Sequence, residues 1–79
     1  MKSDPGLTRL GAALRAARKK AGWTQEKLAD RAHVDRTYVG FIERGARNVT
    51  FLSLLKIRDA LGISWKEFGA LLDHEFGRH

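Results

Sequence analysis

The chain is short, basic and free of cysteine, with 79 residues, 15 Lys and Arg against 9 Asp and Glu, and a formal net charge of +6. This length allows one small domain, and the lack of cysteine excludes a disulfide framework and a thiolate metal site. Because no apolar run approaches the length of a membrane span, we expect a cytoplasmic protein without a membrane partner.

Five short helices and no strand are predicted along the chain. Each helix follows a side chain that can accept a hydrogen bond from the first turn, and in chain order these N-caps are Asp4, Thr24, Asp35, Thr50 and Ser64. The first, third and fourth helices end at Gly22, Gly45 and Gly62. Ser64 and Glu67 have the spacing of a capping box, which starts the fifth helix near Trp65. The short connections favour an all-α, compact five-helix bundle formed by residues 1–79.

The second and third helices are joined by a turn that is too short for a relaxed antiparallel hairpin. Such a turn favours two helices that cross steeply, as in a helix-turn-helix over residues 25–44. Apolar or small residues occupy the positions where this unit must pack, namely Leu28, Ala29, Ala32, Val34, Val39 and Ile42. We expect Ala29 to lie where the two helices come closest and Val34 to fill the turn.

The positive charge is confined to the part of the chain that holds this unit. Residues 1–47 carry 11 Lys and Arg against 5 Asp and Glu, whereas residues 48–79 carry 4 of each. The asymmetry predicts a basic face that meets a polyanion and a neutral end with another role. The alternative is a charged surface that only keeps the protein soluble, and composition alone does not choose between the two.

The third helix carries more polar groups than a packed core can use. If it lies in the major groove of DNA, its first residues reach the base edges first. Arg36 could then pair with a guanine, and Thr37 could bond a base edge or touch a methyl group. Gly40 costs about 1 kcal/mol relative to Ala in a helix interior, so either close approach to DNA or tight packing on helix two should compensate.

Three segments of the chain, WTQEKLADRA, VDRTYVGFIERG and LLKIRDALGI, resemble the Cro/C1 (Xre) helix-turn-helix family. The resemblance covers residues 7–63. Within the family the chain is most similar to restriction–modification controller proteins, which share the residues found here at Asp35–Tyr38, Ile42–Gly45 and Arg47–Asn48. The resemblance implies a lambda-repressor-like fold and a transcriptional regulator that binds double-stranded operator DNA as a homodimer, without a cofactor.

The resemblance also implies roles for individual residues. Contacts to the DNA backbone are expected from Gln25, Tyr38, Arg44, Arg47, Asn48 and Thr50. Arg18 and Glu43 stand where the family has a structural ion pair. His33 replaces the glycine that is common in the turn, and histidine is among the residues enriched in the left-handed conformation. Phe41 replaces a polar base reader, so it contacts a thymine methyl or packs against a neighbouring subunit or loop.

The fifth helix, about residues 64–76, is predicted to form the dimer interface. Its large apolar residues form one stripe, made of Trp65, Phe68, Leu71, Leu72 and Phe76. A domain of this size cannot cover all of that surface, and a two-fold dimer would place two recognition helices about one DNA turn apart. The alternative is that the stripe belongs entirely to the core of one chain.

Catalysis and metal binding are not expected. His33, His74 and His79 have no partner at a metal-ligand spacing, and no phosphate-binding loop or nucleophile–base pair occurs. The alternatives left open are a stand-alone Xre-family repressor and an antitoxin-type protein-interaction module. A membrane-surface helix is disfavoured because the alanine-rich face of helix one is shallow. RNA polymerase is considered as a further partner.

Overall fold

A computed structural model describes residues 4–75. Within this range the chain forms five α-helices and no strand: α1 (Pro5–Lys20), α2 (Gln25–Ala32), α3 (Arg36–Glu43), α4 (Phe51–Leu61) and α5 (Trp65–Glu75). The prediction of an all-α fold with five helices is therefore confirmed. Phe76, which was predicted to extend the apolar stripe of α5, lies outside the described residues.

The helices begin where their capping residues predicted. The side chains of Asp4, Thr24, Asp35 and Thr50 each accept a hydrogen bond from a backbone N–H of the first turn. Ser64 and Glu67 make both bonds of the capping box, each at 3.0 Å. Local hydrogen bonding thus sets the start of every helix, before any tertiary contact is considered.

The turn between α2 and α3 is closed by His33, which has the left-handed conformation with φ 59° and ψ 44°. The backbone N–H of Val34 then bonds the carbonyl of Ala29 at 3.0 Å. Ala29 is almost fully buried, which agrees with a small residue at the closest approach of the two helices. Histidine thus occupies a position that favours glycine, since its side chain is among those that tolerate positive φ.

The core lies where α1 to α4 meet, with one residue of α5 added to it. Its largest fully buried side chains are Leu14, Leu28, Val39, Ile42 and Ile57. Phe68 joins this cluster and is only 3% exposed. The prediction that Phe68 lies at a dimer interface is therefore corrected, because the first turns of α5 pack this ring into the core of its own chain.

Helix α1 lies so close to the end of α3 that a residue with a side chain could not be placed at the contact. A Cβ atom at Gly11 would lie 2.2 Å from the carbonyl oxygen of Ile42 and 2.7 Å from that of Glu43. Gly45, which has φ 73°, leaves similar room for the backbone of Thr8. These two glycines therefore set the distance between α1 and α3. Sequence reasoning had identified Gly45 as a helix end but had not singled out Gly11.

Candidate nucleic-acid interface

Helix α3 buries one side in the core and exposes its first turn. Val39 and Ile42 are buried, whereas Arg36 and Thr37 are exposed. The backbone N–H of Thr37 donates to the carboxylate of Asp35 at 2.9 Å, which orders the first turn. Within residues 4–75 no hydrogen-bond partner occupies the Arg36 guanidinium or the Thr37 hydroxyl. Both groups can therefore meet a ligand without breaking an existing bond.

The end of α3 is fixed by a buried ion pair between Arg18 of α1 and Glu43. Two parallel bonds join them, Nε to Oε2 at 2.7 Å and Nη2 to Oε1 at 3.0 Å. The remaining nitrogen, Nη1, donates to the carbonyl of Trp23 at 2.8 Å. Both residues are less than 10% exposed. This is the pair that the family resemblance implied, and its two-pronged geometry is the strong form of a guanidinium–carboxylate contact.

The hydrogen bond to Glu43 raises the pKa of Arg18, against the opposing effect of burial. A raised pKa of a cationic group contributes stability that is present below its unfolded value and is lost only as the pH rises above it. For arginine that loss falls in strong alkali. The guanidinium of this pair is therefore charged throughout the ordinary pH range.

Gln25, at the start of α2, extends this buried network. Its amide nitrogen donates to Oε1 of Glu43 at 3.0 Å. The only carboxylate of α3 is thus bonded to both Arg18 and Gln25, which removes negative charge from the exposed side of the helix. This bond uses one of the two N–H donors of the Gln25 amide, so the second donor and the free backbone N–H groups at the start of α2 both remain for the predicted phosphate contact.

Phe41 is half-buried, and two guanidinium groups lie over its ring. The guanidinium carbon of Arg44 is 5.0 Å from the ring centroid and that of Arg47 is 5.6 Å away. These are cation–π distances. Of the packing partners considered for Phe41 from the sequence, the structure shows the loop that follows α3, since Arg47 belongs to that loop.

Gly40 is buried beneath side chains of the same exposed face. A Cβ atom there would lie 3.3 Å from Nη1 of Arg44 and 3.7 Å from Oε1 of Gln25. Its nearest neighbours are therefore the ends of two polar side chains and not the backbone of α2. Tight helix–helix packing is found instead at Gly11, between α1 and the end of α3.

The loop between α3 and α4 is tied to α3 through Tyr38. The hydroxyl of Tyr38 accepts a hydrogen bond from the backbone N–H of Thr50 at 3.4 Å. Thr50 also caps α4 by accepting from Ser53 at 3.1 Å. Arg47 and Asn48 are exposed in the same loop. Tyr38 itself is half-buried. We call this residue and the exposed residues of α3 and the loop the basic face: Arg36, Thr37, Tyr38, Arg44, Arg47 and Asn48.

A second surface is apolar and lies where α4 meets α5. Three large side chains are exposed here, Phe51 at 65%, Leu52 at 69% and Trp65 at 43%. The rings of Phe51 and Trp65 stack at 6.1 Å with an angle of 8° between their planes. We call these three residues the apolar patch. Leu71 and Leu72, which were predicted at the same interface, are half-buried.

Sequence reasoning found Trp65 but missed Phe51 and Leu52. No prediction was made for the first turn of α4, where Phe51 and Leu52 lie. The Thr50 cap marks where α4 begins, but the exposure of its first turn depends on how α4 packs against the other helices, for which the sequence has no local signal. Residues 4–75 contain no group of three His, Cys, Asp or Glu that could hold a metal. No helix among them is long and apolar enough to cross a membrane.

The chain is similar in sequence to helix-turn-helix proteins, including two control proteins. The helix-turn-helix family model matches residues 14–68. The control protein C.BamHI of Bacillus amyloliquefaciens is 46% identical over 48 residues, which are 61% of this chain and 59% of that protein. The control protein C.MunI of Mycoplasma sp is 40% identical over 68 residues, covering 85% of this chain and 92% of that protein.

A solved structure resembles the chain over most of its length. It is the tetramer of the restriction–modification controller protein C.Esp1396I in complex with its natural 35-base-pair operator. The TM-score is 0.83 at 37% sequence identity, and the match covers 89% of this chain and 92% of that one. The similarity therefore includes the fold of a protein seen on operator DNA.

Proposed function

Because the chain belongs to the Cro/C1-type helix-turn-helix family, we propose that it is a restriction–modification controller protein that regulates transcription as a homodimer on palindromic operator DNA. The observation that carries the proposal is the first turn of α3, where Arg36 and Thr37 are exposed and make no side-chain hydrogen bond, on a helix whose far end is held by the buried Arg18–Glu43 pair. The relatives that are named control proteins support the choice of this subfamily.

In this proposal α3 enters the major groove and its first turn reads bases. Arg36 pairs with the O6 and N7 atoms of a guanine, and Thr37 bonds a neighbouring edge or touches a thymine methyl. The buried Arg18–Glu43 pair supports this role, because it holds the far end of α3 against α1 and so limits how the helix can tilt. Gly40 allows the helix backbone to stay low beneath Arg44 and Gln25.

The phosphates on either side of the groove are held by the rest of the basic face. Arg44, Arg47 and Asn48 are exposed, and Tyr38 keeps its hydroxyl hydrogen available while its oxygen accepts from Thr50. The start of α2, with Gln25, and the start of α4, with Thr50, add backbone N–H groups. Such contacts fix the register of the protein on DNA and carry no sequence information.

The homodimer is proposed to form through the apolar patch. Phe51 and Trp65 are stacked on each other, Leu52 follows Phe51 in the first turn of α4, and no other large hydrophobic side chain of residues 4–75 is exposed to this degree. A second copy of the chain would offer the same patch across a two-fold axis. Leu71 and Leu72 would lie at the border of the interface. The oligomeric state of C.Esp1396I on its operator supports the assembly of copies.

A dimer of this kind would present two α3 helices about one turn of DNA apart, which selects an inverted repeat. The regulator would act in the cytoplasm, where its operator lies. If several operator sites are filled in order, the same protein could regulate its own gene and a neighbouring endonuclease gene according to its concentration. Contact with RNA polymerase stays a prediction, which applies if the regulator activates transcription.

The test is selection of bound sequences from a random duplex pool, followed by measurement of the stoichiometry on the selected site. We expect a palindrome with half-sites about 10 base pairs apart that binds two chains. Two adjacent palindromes that bind four chains would specifically support the controller assignment. A single palindrome would favour a stand-alone repressor.

Loose, salt-sensitive binding without enrichment of any sequence would contradict the proposal. It would direct attention to a protein-interaction role for the apolar patch, as in an antitoxin. The matched control is Arg36→Ala, which alters an exposed side chain at the proposed reading position. It should lose preference at one base pair per half-site while the rest of the selected sequence is retained.

A further inference from the structure

We infer that Phe41 is a positioning residue, whose ring holds Arg44 and Arg47 in place for contacts to DNA phosphates, and that it does not read a base. The inference rests on the proposed function, because it takes DNA as the ligand of the basic face. It assigns a role to an aromatic side chain that stands among polar groups and has no obvious use as a hydrogen-bonding reader.

The first observation is that the ring serves two cations at once. The guanidinium carbons of Arg44 and Arg47 lie over it at 5.0 and 5.6 Å from the centroid. An aromatic face attracts cations through its quadrupole. Phe41 is half-buried, so part of the ring is held by the body of the protein, while both arginines lie within cation–π distance of it.

The second observation explains why the side chain of Arg47 lies over the Phe41 ring although Arg47 follows the end of α3. The N–H of Ala46 bonds the carbonyl of Phe41 at 2.9 Å, and the N–H of Gly45 bonds that of Ile42 at 3.0 Å. Gly45 has φ 73°. This is the hydrogen-bond pattern of a Schellman motif, which turns the chain back on the last turn of the helix. The loop is therefore fixed to the backbone of Phe41 itself.

The third observation concerns Arg44, whose guanidinium has room beside the Phe41 ring because residue 40 is a glycine. Its Nη1 atom would be 3.3 Å from a Cβ at Gly40, so the guanidinium lies across a place that only glycine leaves open without adjustment. Oε1 of Gln25 borders the same place, and Gln25 is held by Glu43. Arg44 thus lies over the Phe41 ring with its Nη1 atom in the space that Gly40 leaves open.

The electrostatics indicate what ligand this arrangement accepts. Two guanidinium groups on one ring repel each other, and within residues 4–75 neither has a carboxylate partner. The nearest acid in sequence, Glu43, is occupied by Arg18 and Gln25. An anion with several acceptor oxygens would relieve the repulsion, and DNA phosphates are such anions. A thymine methyl offers nothing to these cations.

Ordering the arginines before binding should strengthen binding to every DNA sequence alike. An arginine that is free in solution must lose rotamer freedom on contact, which weakens binding about two- to tenfold for each side chain. A ring that has already confined both arginines lowers that loss. A base reader would instead affect one base pair and leave non-specific binding unchanged.

The experiment compares Phe41→Leu with Phe41→Tyr, which keeps the ring and is the matched control. Affinity is measured for the selected operator and for a scrambled duplex of the same length. We expect Phe41→Leu to weaken both about tenfold and Phe41→Tyr to change neither more than about twofold. The salt dependence of Phe41→Leu should equal that of the unaltered protein, because the arginines still reach the phosphates.

A double-mutant cycle with Arg47→Ala separates positioning from a loss of folding. Phe41→Leu should cost less in the Arg47→Ala background than in the unaltered protein, since one of its two arginines is already gone. Thermal unfolding of each variant shows that binding is measured on folded protein. Additive effects, or a change of preference at one base pair with non-specific binding intact, would overturn the inference.

The stacking is also tested without DNA. In the NMR spectrum of the free protein, ring-current shifts of the Arg44 and Arg47 side-chain protons should disappear in Phe41→Leu and persist in Phe41→Tyr. Absence of these shifts in the unaltered protein would contradict the positioning role even if DNA binding is specific. If the shifts are present but the unaltered protein binds no DNA, the proposed function would be refuted. The proposal that the ring positions the arginines for phosphate contacts would be refuted with it.

Discussion

The basic face and the apolar patch are incomplete in opposite ways. On the basic face, the cations Arg36, Arg44 and Arg47 are exposed, while the only carboxylate of α3 is turned inward and bonded. On the apolar patch, three large hydrophobic side chains remain in contact with solvent. The first surface has positive charge without an anionic partner, and the second has apolar area without an apolar partner. The two surfaces are therefore suited to partners of different chemistry.

The two surfaces depend to different degrees on the buried residues of the domain. The charged groups of the basic face are individually easy to expose, and their value depends on where α3 is held. The apolar patch needs no such positioning, because hydrophobic association is proportional to area and not directional. The basic face should therefore be sensitive to changes in the buried residues that fix α3, and the apolar patch should respond mainly to changes within itself.

The largest effect is expected from Arg18→Ala. The change leaves Glu43 buried with only Gln25 as its partner, and breaking a buried ion pair in this way costs about 3–5 kcal/mol of unfolding free energy. Denaturant unfolding at one fixed protein concentration measures it, since a dimer's stability depends on concentration. Arg36→Ala is the matched control, because an exposed arginine should change stability by less than about 0.5 kcal/mol. Equal losses in the two variants would contradict the division between structural and DNA-facing arginines.

A somewhat smaller effect is expected from Gly11→Ala. The new Cβ would meet the backbone carbonyl of Ile42 at 2.2 Å, and backbone cannot give way as a flexible side chain can. We expect about 3 kcal/mol of destabilisation, at the upper end of ordinary overpacking, and weaker operator binding because α3 must shift. Thermal or denaturant unfolding measures the first effect, and titration with operator DNA the second.

Gly69→Ala is the matched control for that change. Gly69 also lies inside a helix, but a Cβ atom there would meet nothing within 4 Å. Alanine should therefore stabilise α5 by about 1 kcal/mol through its higher helix propensity. If Gly11→Ala proved as harmless as Gly69→Ala, the close contact of α1 with α3 would not be what positions the basic face.

The apolar patch is addressed by Leu52→Ser. Leu52 is 69% exposed in the single chain, so its loss should leave the stability of the folded monomer nearly unchanged. It should weaken dimerisation by about 2 kcal/mol, or roughly thirtyfold, because most of an apolar side chain is no longer removed from water. Sedimentation equilibrium measures the dimer constant. Arg15→Ser, an exposed change on α1, should leave that constant unaffected.

The helices and the helix-turn-helix could be predicted because their signals are local. Caps such as Thr24 and Ser64 act through bonds to the next turn, and the small residue at Ala29 is required by the crossing of two consecutive helices. The Arg18–Glu43 pair spans 25 positions, and only the resemblance to a family suggested it. Spacing alone cannot tell which of many arginines meets which carboxylate.

What could not be predicted depends on packing between distant parts of the chain. The stripe of α5 was assigned to one surface, although Phe68 faces the core and Trp65 faces outward beside Phe51. That separation follows from how α4 and α5 lie against each other, which helical periodicity does not define. Gly11 was missed for the same reason, since a glycine inside a helix shows its purpose only once the neighbouring backbone is known.

The smallest and most local effects are expected within the basic face, where Arg36→Ala and Arg47→Ala should differ in kind. Arg36→Ala should reduce discrimination at one base pair per half-site by about 1–3 kcal/mol, because a guanine loses a two-bond partner. Arg47→Ala should weaken binding to all sequences nearly equally. It should also reduce the slope of log affinity against log salt by about 0.9 for each phosphate that is no longer neutralised. Binding to a set of single-base operator variants at several salt concentrations measures both.

These two variants also connect the basic face to the apolar patch. A two-fold dimer contributes each arginine twice, so the loss of preference after Arg36→Ala should appear at symmetric positions of the two half-sites. When Leu52→Ser is combined with Arg36→Ala, the loss of base preference should be seen in each half-site separately. The reason is that single chains then bind the two half-sites independently. If Arg36→Ala alone reduced base preference in only one of the two half-sites of a palindrome, the two copies would not read DNA equivalently. Such a result would contradict a dimer with a two-fold axis through the apolar patch.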